Sequence, residues 1–297
     1  MRGDANTTGG GLPKFPGHAH NARMNRVISG EAVVAGGMAW RIHRERVLLA
    51  GWGRAILLQI AHPKVARGVA EHSGFSTEPW GRLRRLNRTL AAMLALTFGS
   101  EEEAAASAAR INAIHDRVHG CLEAPATGAS YSAHDPELLT WVHATLIESF
   151  LLAYRLFVGP VTPAEADRYC GEAGGIEPAL GIPPGRLPRT ERQLRQYLDA
   201  MLAGGVIEVT DTARRLSREI IRPPAPALVQ PALWLAALPA VGLLPPAIRA
   251  AYGLPWDGRR ARALHLLAVA TRRGLPLLPP ALRYWAVARR AERRLGR

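Results

Sequence analysis

The stretch Asp135–Phe157, "DPELLTWVHATLIESFLLAYRLF", decides the fold. Asp135 is a residue type that caps helices, because its carboxylate accepts from the first free N–H groups. Pro136 suits the first helical position, where a missing N–H costs nothing. Beyond this start, apolar side chains cover most of the circumference. A helix of that kind must be enclosed by other elements, as the central helix of an all-α domain is. His143 lies on it between Val142 and Leu146. Glu148, five residues on, points to a different face and need not share a site with His143.

The rest of the chain agrees with an all-α reading. Alternating β-branched runs are nearly absent, and helix-period apolar stripes recur from residue 41 to 221. "RIHRERVLLAGWGRAILLQIAHP" reads as helical segments stopping before Pro63, with Gly51 and Gly53 marking a bend or close packing. "EPWGRLRRLNRTLAAMLALTFG" gives a helix ended by Gly99, whose stripe includes Thr89. "SEEEAAASAARINAIHDRVHG" opens on Ser100 with Glu103 in the capping-box position, and is expected to close on Gly120. Residues 1–25 read as a disordered lead-in and 26–222 as one helical domain. Residues 223–297 read as a Pro- and Arg-rich helical extension packed on that domain.

Composition bounds the function. The formal net charge is +14. However, Lys14 and Lys64 are the only lysines, and the Ala, Gly, Pro and Arg bias is that of a GC-rich genome. Eleven arginines face one acid, Glu292, in residues 259–297. No zinc finger or helix-turn-helix signature accompanies this basic tail, so nucleic acid is not expected as a partner. Cys121 and Cys170 read as thiols of a reducing compartment. The first twenty residues hold no apolar run, so no secretory signal and a cytoplasmic location are expected. Ala227–Leu244 is apolar, but Pro231 and Pro239 interrupt it. Short packed helices are the expectation there, with peripheral membrane contact as the alternative.

Three groups of residues carry chemistry. In "ARINAIHDRVHG", Ala109–Gly120, His115 shares a helix side with Ile111, Ile114 and Val118. It is either a core histidine bonded to a buried acceptor or a neutral imidazole bound to iron. His119 follows four residues on, but no HExxH glutamate supports a zinc site. His143 is a second inward imidazole with the same alternatives. In "RLRRLNRTL", Arg85, Arg88 and Thr89 share one helix face. Cations near a helix start are unfavourable, which points to an anionic partner for at least one of them.

The ordered set "GRAILLQIAHPKVARGV", "HSGF", "PWGRLRRLNRTL", "INAIHDRVHG" and "YSAHDPELLTWVHATLIESFLLAY" resembles the rubber oxygenase family over about residues 30–220. That family includes the latex clearing proteins, the fungal oxygenase of mycophenolic acid biosynthesis and uncharacterised actinobacterial relatives. The tail "YGLPW … LPLLPPALRYWAVARRAERR" is similar to the usual ending of its bacterial members. The resemblance implies a globin-like helical core around haem b, with His115 as the proximal iron ligand and Arg85 and Thr89 as the polar pair beside the haem. It also implies a catalytic acid upstream of the arginine, for which Glu71 is the nearest candidate. His143, read from its place on the buried helix, is a second iron ligand, a partner to the haem edge or a satisfied core group. Arg88 stands where latex clearing proteins carry a lysine able to cap the iron. A guanidinium cannot serve as a neutral nitrogen ligand, so an open or water-bound distal side is expected. The implied activity is oxygenation of an apolar isoprenoid, lipid or natural-product substrate with O2. The alternatives are a haem carrier or sensor without turnover, and a haem-free membrane-associated helical protein.

Overall fold

Residues 36–72, 81–122, 129–223 and 226–296 are described by a computed structural model, with the side chains of 81–86 outside that description. The expected lead-in, 1–25, also lies outside it. Among the described residues the chain forms fourteen α-helices and one two-stranded ribbon, an all-α fold.

Helices α1 (Met38–His43), α2 (Leu49–Gln59) and α3 (Pro63–His72) come first, followed by a hairpin of α4 (Gly81–Phe98) and α5 (Glu101–His115). Strands β1 (His119–Cys121) and β2 (Ser130–Ser132) pair antiparallel, with Gly120 opposite Tyr131. Then come α6 (Pro136–Phe157), α7 (Pro163–Ala173), a 3-10 turn at Gly174–Leu180, α8 (Glu191–Ala203) and α9 (Asp211–Ile221). The chain continues through α10 (Gln230–Gly242), α11 (Pro246–Ala251), α12 (Gly258–Gly274), α13 (Pro280–Arg283) and α14 (Ala286–Arg294).

Helix α6 is the axis. Asp135 accepts from the Glu137 N–H at 2.9 Å, and Trp141, Ala144, Ala153 and Phe157 are almost fully enclosed. Helix α2 lies between α6 and α10, and its two glycines make that possible. A Cβ on Gly51 would stand 2.8 Å from the Ser149 carbonyl oxygen, and one on Gly53 2.6 Å from the Ala240 Cβ. The pair therefore marks close packing on two opposite faces, not a bend. Arg54, 2% exposed, fastens the same layer by donating to Leu243 O, Ser149 Oγ and Glu148 Oε2 at 2.6–2.7 Å. Glu148 is thus the partner of a buried arginine and does not join His143.

One expectation fails locally. The helix carrying His115 does not run to Gly120; it ends at His115, with Asp116 as its C-cap. Residues 119–121 instead pair with 130–132, and Ala133 N–H donates to Val118 O at 2.8 Å. The ribbon satisfies these backbone groups, so the helix gains nothing by continuing. His119 consequently sits exposed on a strand and shares no helix face with His115. Among the described residues, no group of three or more His, Cys, Asp or Glu side chains could hold a metal ion.

The C-terminal helices close back on the start of the chain. Arg283 forks onto the buried Glu45 at 2.6–3.1 Å, and Arg44 meets Glu292 at 3.1 Å. Ala288 and Ala291 pack with Trp40, Leu94 and Phe98 in a satellite cluster. Leu238, Ala240, Leu264 and Ala268 belong to the same main core as α2 and α6. No described helix is long and apolar enough to cross a membrane.

Candidate functional site

A cavity of about 1290 Å³ opens between α1–α6, α7 and α14. It exceeds the roughly 300–1,000 Å³ of ordinary small-molecule pockets. Trp40, Trp52, Phe98, Leu139, Leu146 and Phe150 give it an apolar lining.

Two imidazoles reach this lining from facing segments. His115, the last residue of α5, is half-buried, and its Nδ1 is a buried atom with no hydrogen-bond partner. The His134 ring stands edge-on to it at 5.7 Å, held by its own 2.7 Å contact to Asp116. Burial lowers the His115 pKa, the neighbouring His134 adds to the effect, and Asp116 opposes it. His143 on α6 also lines the cavity, and burial takes its pKa down to about 4. Both rings are therefore neutral at pH 7, with a nitrogen lone pair available.

A third imidazole was not singled out by sequence reasoning. His43 lies at the inner wall, where Nδ1 is 3.2 Å from Thr97 Oγ1 and Nε2 is 3.0 Å from the Tyr169 hydroxyl. Thr97 donates its own proton to Met93 O at 2.9 Å, so it must accept from His43. That fixes the proton on Nδ1 and leaves Nε2 to accept from Tyr169. Burial lowers the His43 pKa to about 4. The surrounding "WRIHRER" reads as a charged surface, which hides this residue from pattern analysis.

At the other end, Arg88 and Thr89 of α4 are solvent-exposed residues of the cavity wall. The side chain of Arg85 falls outside the described part. Glu71 does not line the cavity. It is exposed, meets Arg67 at 2.5 Å, and receives the Tyr131 hydroxyl in a short hydrogen bond. Tyr131 itself does line the cavity, as does His72, 4.0 Å from the Glu71 carboxylate, so Glu71 meets the site through these neighbours. The hydrogen bond from Tyr131, followed by Arg67, holds Glu71 below the usual carboxylate range. Burial and Glu71 together push Tyr131 up to about 12. The pair is thus a carboxylate and a protonated phenol at neutral pH.

An apolar chamber of this size, walled by neutral imidazoles in a mainly helical frame, agrees with a comparison of sequences. The family described as "ER-bound oxygenase mpaB/B'/Rubber oxygenase, catalytic domain" matches residues 40–273. The chain belongs to this oxygenase family. Uncharacterized proteins of Mycobacterium bovis and Mycobacterium tuberculosis are similar to it, each 28% identical over 228 residues, covering 75% of this chain and 87% of theirs. No solved structure matches the chain. The rubber oxygenase match ends at residue 273, yet Ala291, Arg294 and Leu295 also line the cavity.

The residues fit a haem group by their chemistry. Its iron would be held by a neutral imidazole, which His115 offers on an apolar wall. The His115 Nδ1 has no hydrogen-bond partner, so the ring is not tied to a core acceptor. Arg88 and Arg294 on the wall are cations suited to carboxylate groups at the edge of such a ligand.

Proposed function

We propose that this member of the rubber oxygenase family is a haem-b-dependent oxygenase acting with O2 on an apolar isoprenoid, lipid or natural-product substrate. The observation that carries the reading is His115, a neutral imidazole with an unpartnered buried nitrogen on the wall of a 1290 Å³ apolar chamber.

In this reading His115 holds the iron, and His143 and Arg88 help to seat the macrocycle. Bound haem iron supplies activation of O2 for oxidative attack on the substrate. The chain's own work is binding, orientation and proton placement. Trp52, Phe98 and Phe150 exclude water and select an apolar substrate. The His43–Thr97–Tyr169 array is fully satisfied, so it closes the inner wall without offering a stray proton. Arg85 and Thr89 are assigned the polar contacts beside the reacting group. Glu71 acts through the Tyr131 hydroxyl, which holds a proton at the edge of the chamber.

The test is hemin titration followed by an oxygen electrode. Wild-type protein is expected to develop a Soret band that His115→Ala loses. The loaded protein is expected to consume O2 with an isoprenoid panel, and Thr89→Ala to slow it. Protein that shows no Soret band after unbound hemin is removed ends the proposal. A Soret band without substrate-dependent O2 uptake leaves the carrier or sensor role.

A second reading, peripheral contact with an anionic membrane, is favoured by one feature. Apart from Leu233, residues 226–236 are exposed although almost wholly apolar, with Leu228 92% and Trp234 50% accessible. Exposed Arg215 and Arg218 of the adjoining α9, with Arg222 just past its end, supply the matching charge. Flotation with anionic liposomes at low salt tests it, and failure to float excludes it.

A further inference from the structure

A second buried polar atom in α5 lacks a hydrogen-bond partner, and it lies one helical turn from the first. The side-chain oxygen Oδ1 of Asn112 is as unpartnered as Nδ1 of His115. The two residues stand at i and i+3, so their side chains are neighbours on one helix face. The atoms are complementary. Oδ1 can only accept, and Nδ1 of a neutral imidazole can carry the donated proton. The amide is not loose, because Asn112 Nδ2 donates to Ala179 O of the Gly174–Leu180 turn at 3.0 Å. Leaving two such groups buried and unmet is unfavourable, and a hydrogen bond between them would satisfy both.

We infer that Asn112 is the positioning residue of His115, accepting its Nδ1–H so that the Nε2 lone pair is presented to the chamber. A histidine that ligates a metal donates its other ring N–H to an acceptor, which fixes both tautomer and ring plane. A neutral carboxamide in this place gives the imidazole less basicity than a carboxylate would. The nearby carboxylate, Asp116, is engaged by His134. This inference rests on the haem reading above, with His115 as ligand.

The experiment is hemin titration of the full-length chain with Asn112→Leu, Asn112→Asp and His115→Ala, followed by spectroelectrochemistry of the loaded forms. Asn112→Leu is expected to weaken hemin binding about 10- to 100-fold and to raise the Fe(III)/Fe(II) midpoint potential. Asn112→Asp is expected to shift that potential the other way, because a charged acceptor enriches the imidazole. The potential is read on the haem-bound fraction, so partial misfolding from the lost bond to Ala179 does not mimic the result. Opposite shifts support the inference. Unchanged affinity and potential in both Asn112 variants, while His115→Ala loses the Soret band, overturn it alone. A Soret band retained in His115→Ala overturns the ligand assignment, and the role of Asn112 with it.

Discussion

Replacing Arg54 by methionine tests how the chamber's frame is held. The guanidinium makes three bonds of 2.6–2.7 Å, to Leu243 O, Ser149 Oγ and Glu148 Oε2. Methionine keeps much of the aliphatic stem and removes every donor. Ser149 is fully buried, and a stranded buried acceptor costs about 1–3 kcal/mol. The Glu148 side chain is 23% accessible, so it can turn toward water and the lost ion pair counts at the low end. Together the loss is about 3–5 kcal/mol, in line with removing one member of a buried pair. At about 2–4 °C per kcal/mol, the melting midpoint should fall by roughly 10 °C. Thermal and urea unfolding of Arg54→Met, read by circular dichroism, give the number directly. Glu148→Gln, which still offers an oxygen to Arg54, should lose less. A loss below about 1 kcal/mol for Arg54→Met, or the reverse order of the two variants, refutes the argument.

Stability should fall on mild acidification. His43 titrates at about 4 in the folded protein against an ordinary 6.5, so the unfolded chain takes up the proton first. The contribution is complete above the unfolded value, drains as pH falls from 6.5 to 4, and amounts to about 2 kcal/mol between pH 7 and pH 5. Urea midpoints measured at those two pH values check it, and a flat profile contradicts it. Gly53→Val should destabilise by about 2 kcal/mol or more through collision with Ala240. Gly159→Ala, with nothing within 4 Å of its added Cβ, should be nearly neutral in the same melts.

The sequence showed the helices that start with their own chemistry. Asp135–Pro136 announced α6, and Ser100 with Glu103 announced α5, whose capping box is present. His115 was legible because an imidazole among isoleucines is a local anomaly. The end of α5 was not, since the backbone partners of 119–121 lie beyond a loop, at 130–132. Glu71 was selected by its place in a motif, but whether it faces the chamber depends on Tyr131 sixty residues away. Arg54 and His43 were hidden for a related reason. His43 sits in arginine-rich sequence that reads as solvated, Arg54 is a lone cation in an apolar helix, and the partners that hold both lie in distant segments. Asn112 carries no anomaly in one dimension, and its interest appears only when its oxygen proves to be without a partner.

The ties from α14 to the start of the chain bear on biosynthesis. Ala291, Arg294 and Leu295 complete a chamber whose other walls are drawn from residues 39–180, and Arg294 anchors itself on Phe98 O at 2.6 Å. These wall residues lie far downstream of all the others. Until they are synthesised, the chamber lacks the wall that α14 supplies. Trimming the chain at residue 273, the end of the matched region, would leave a vessel without its stopper.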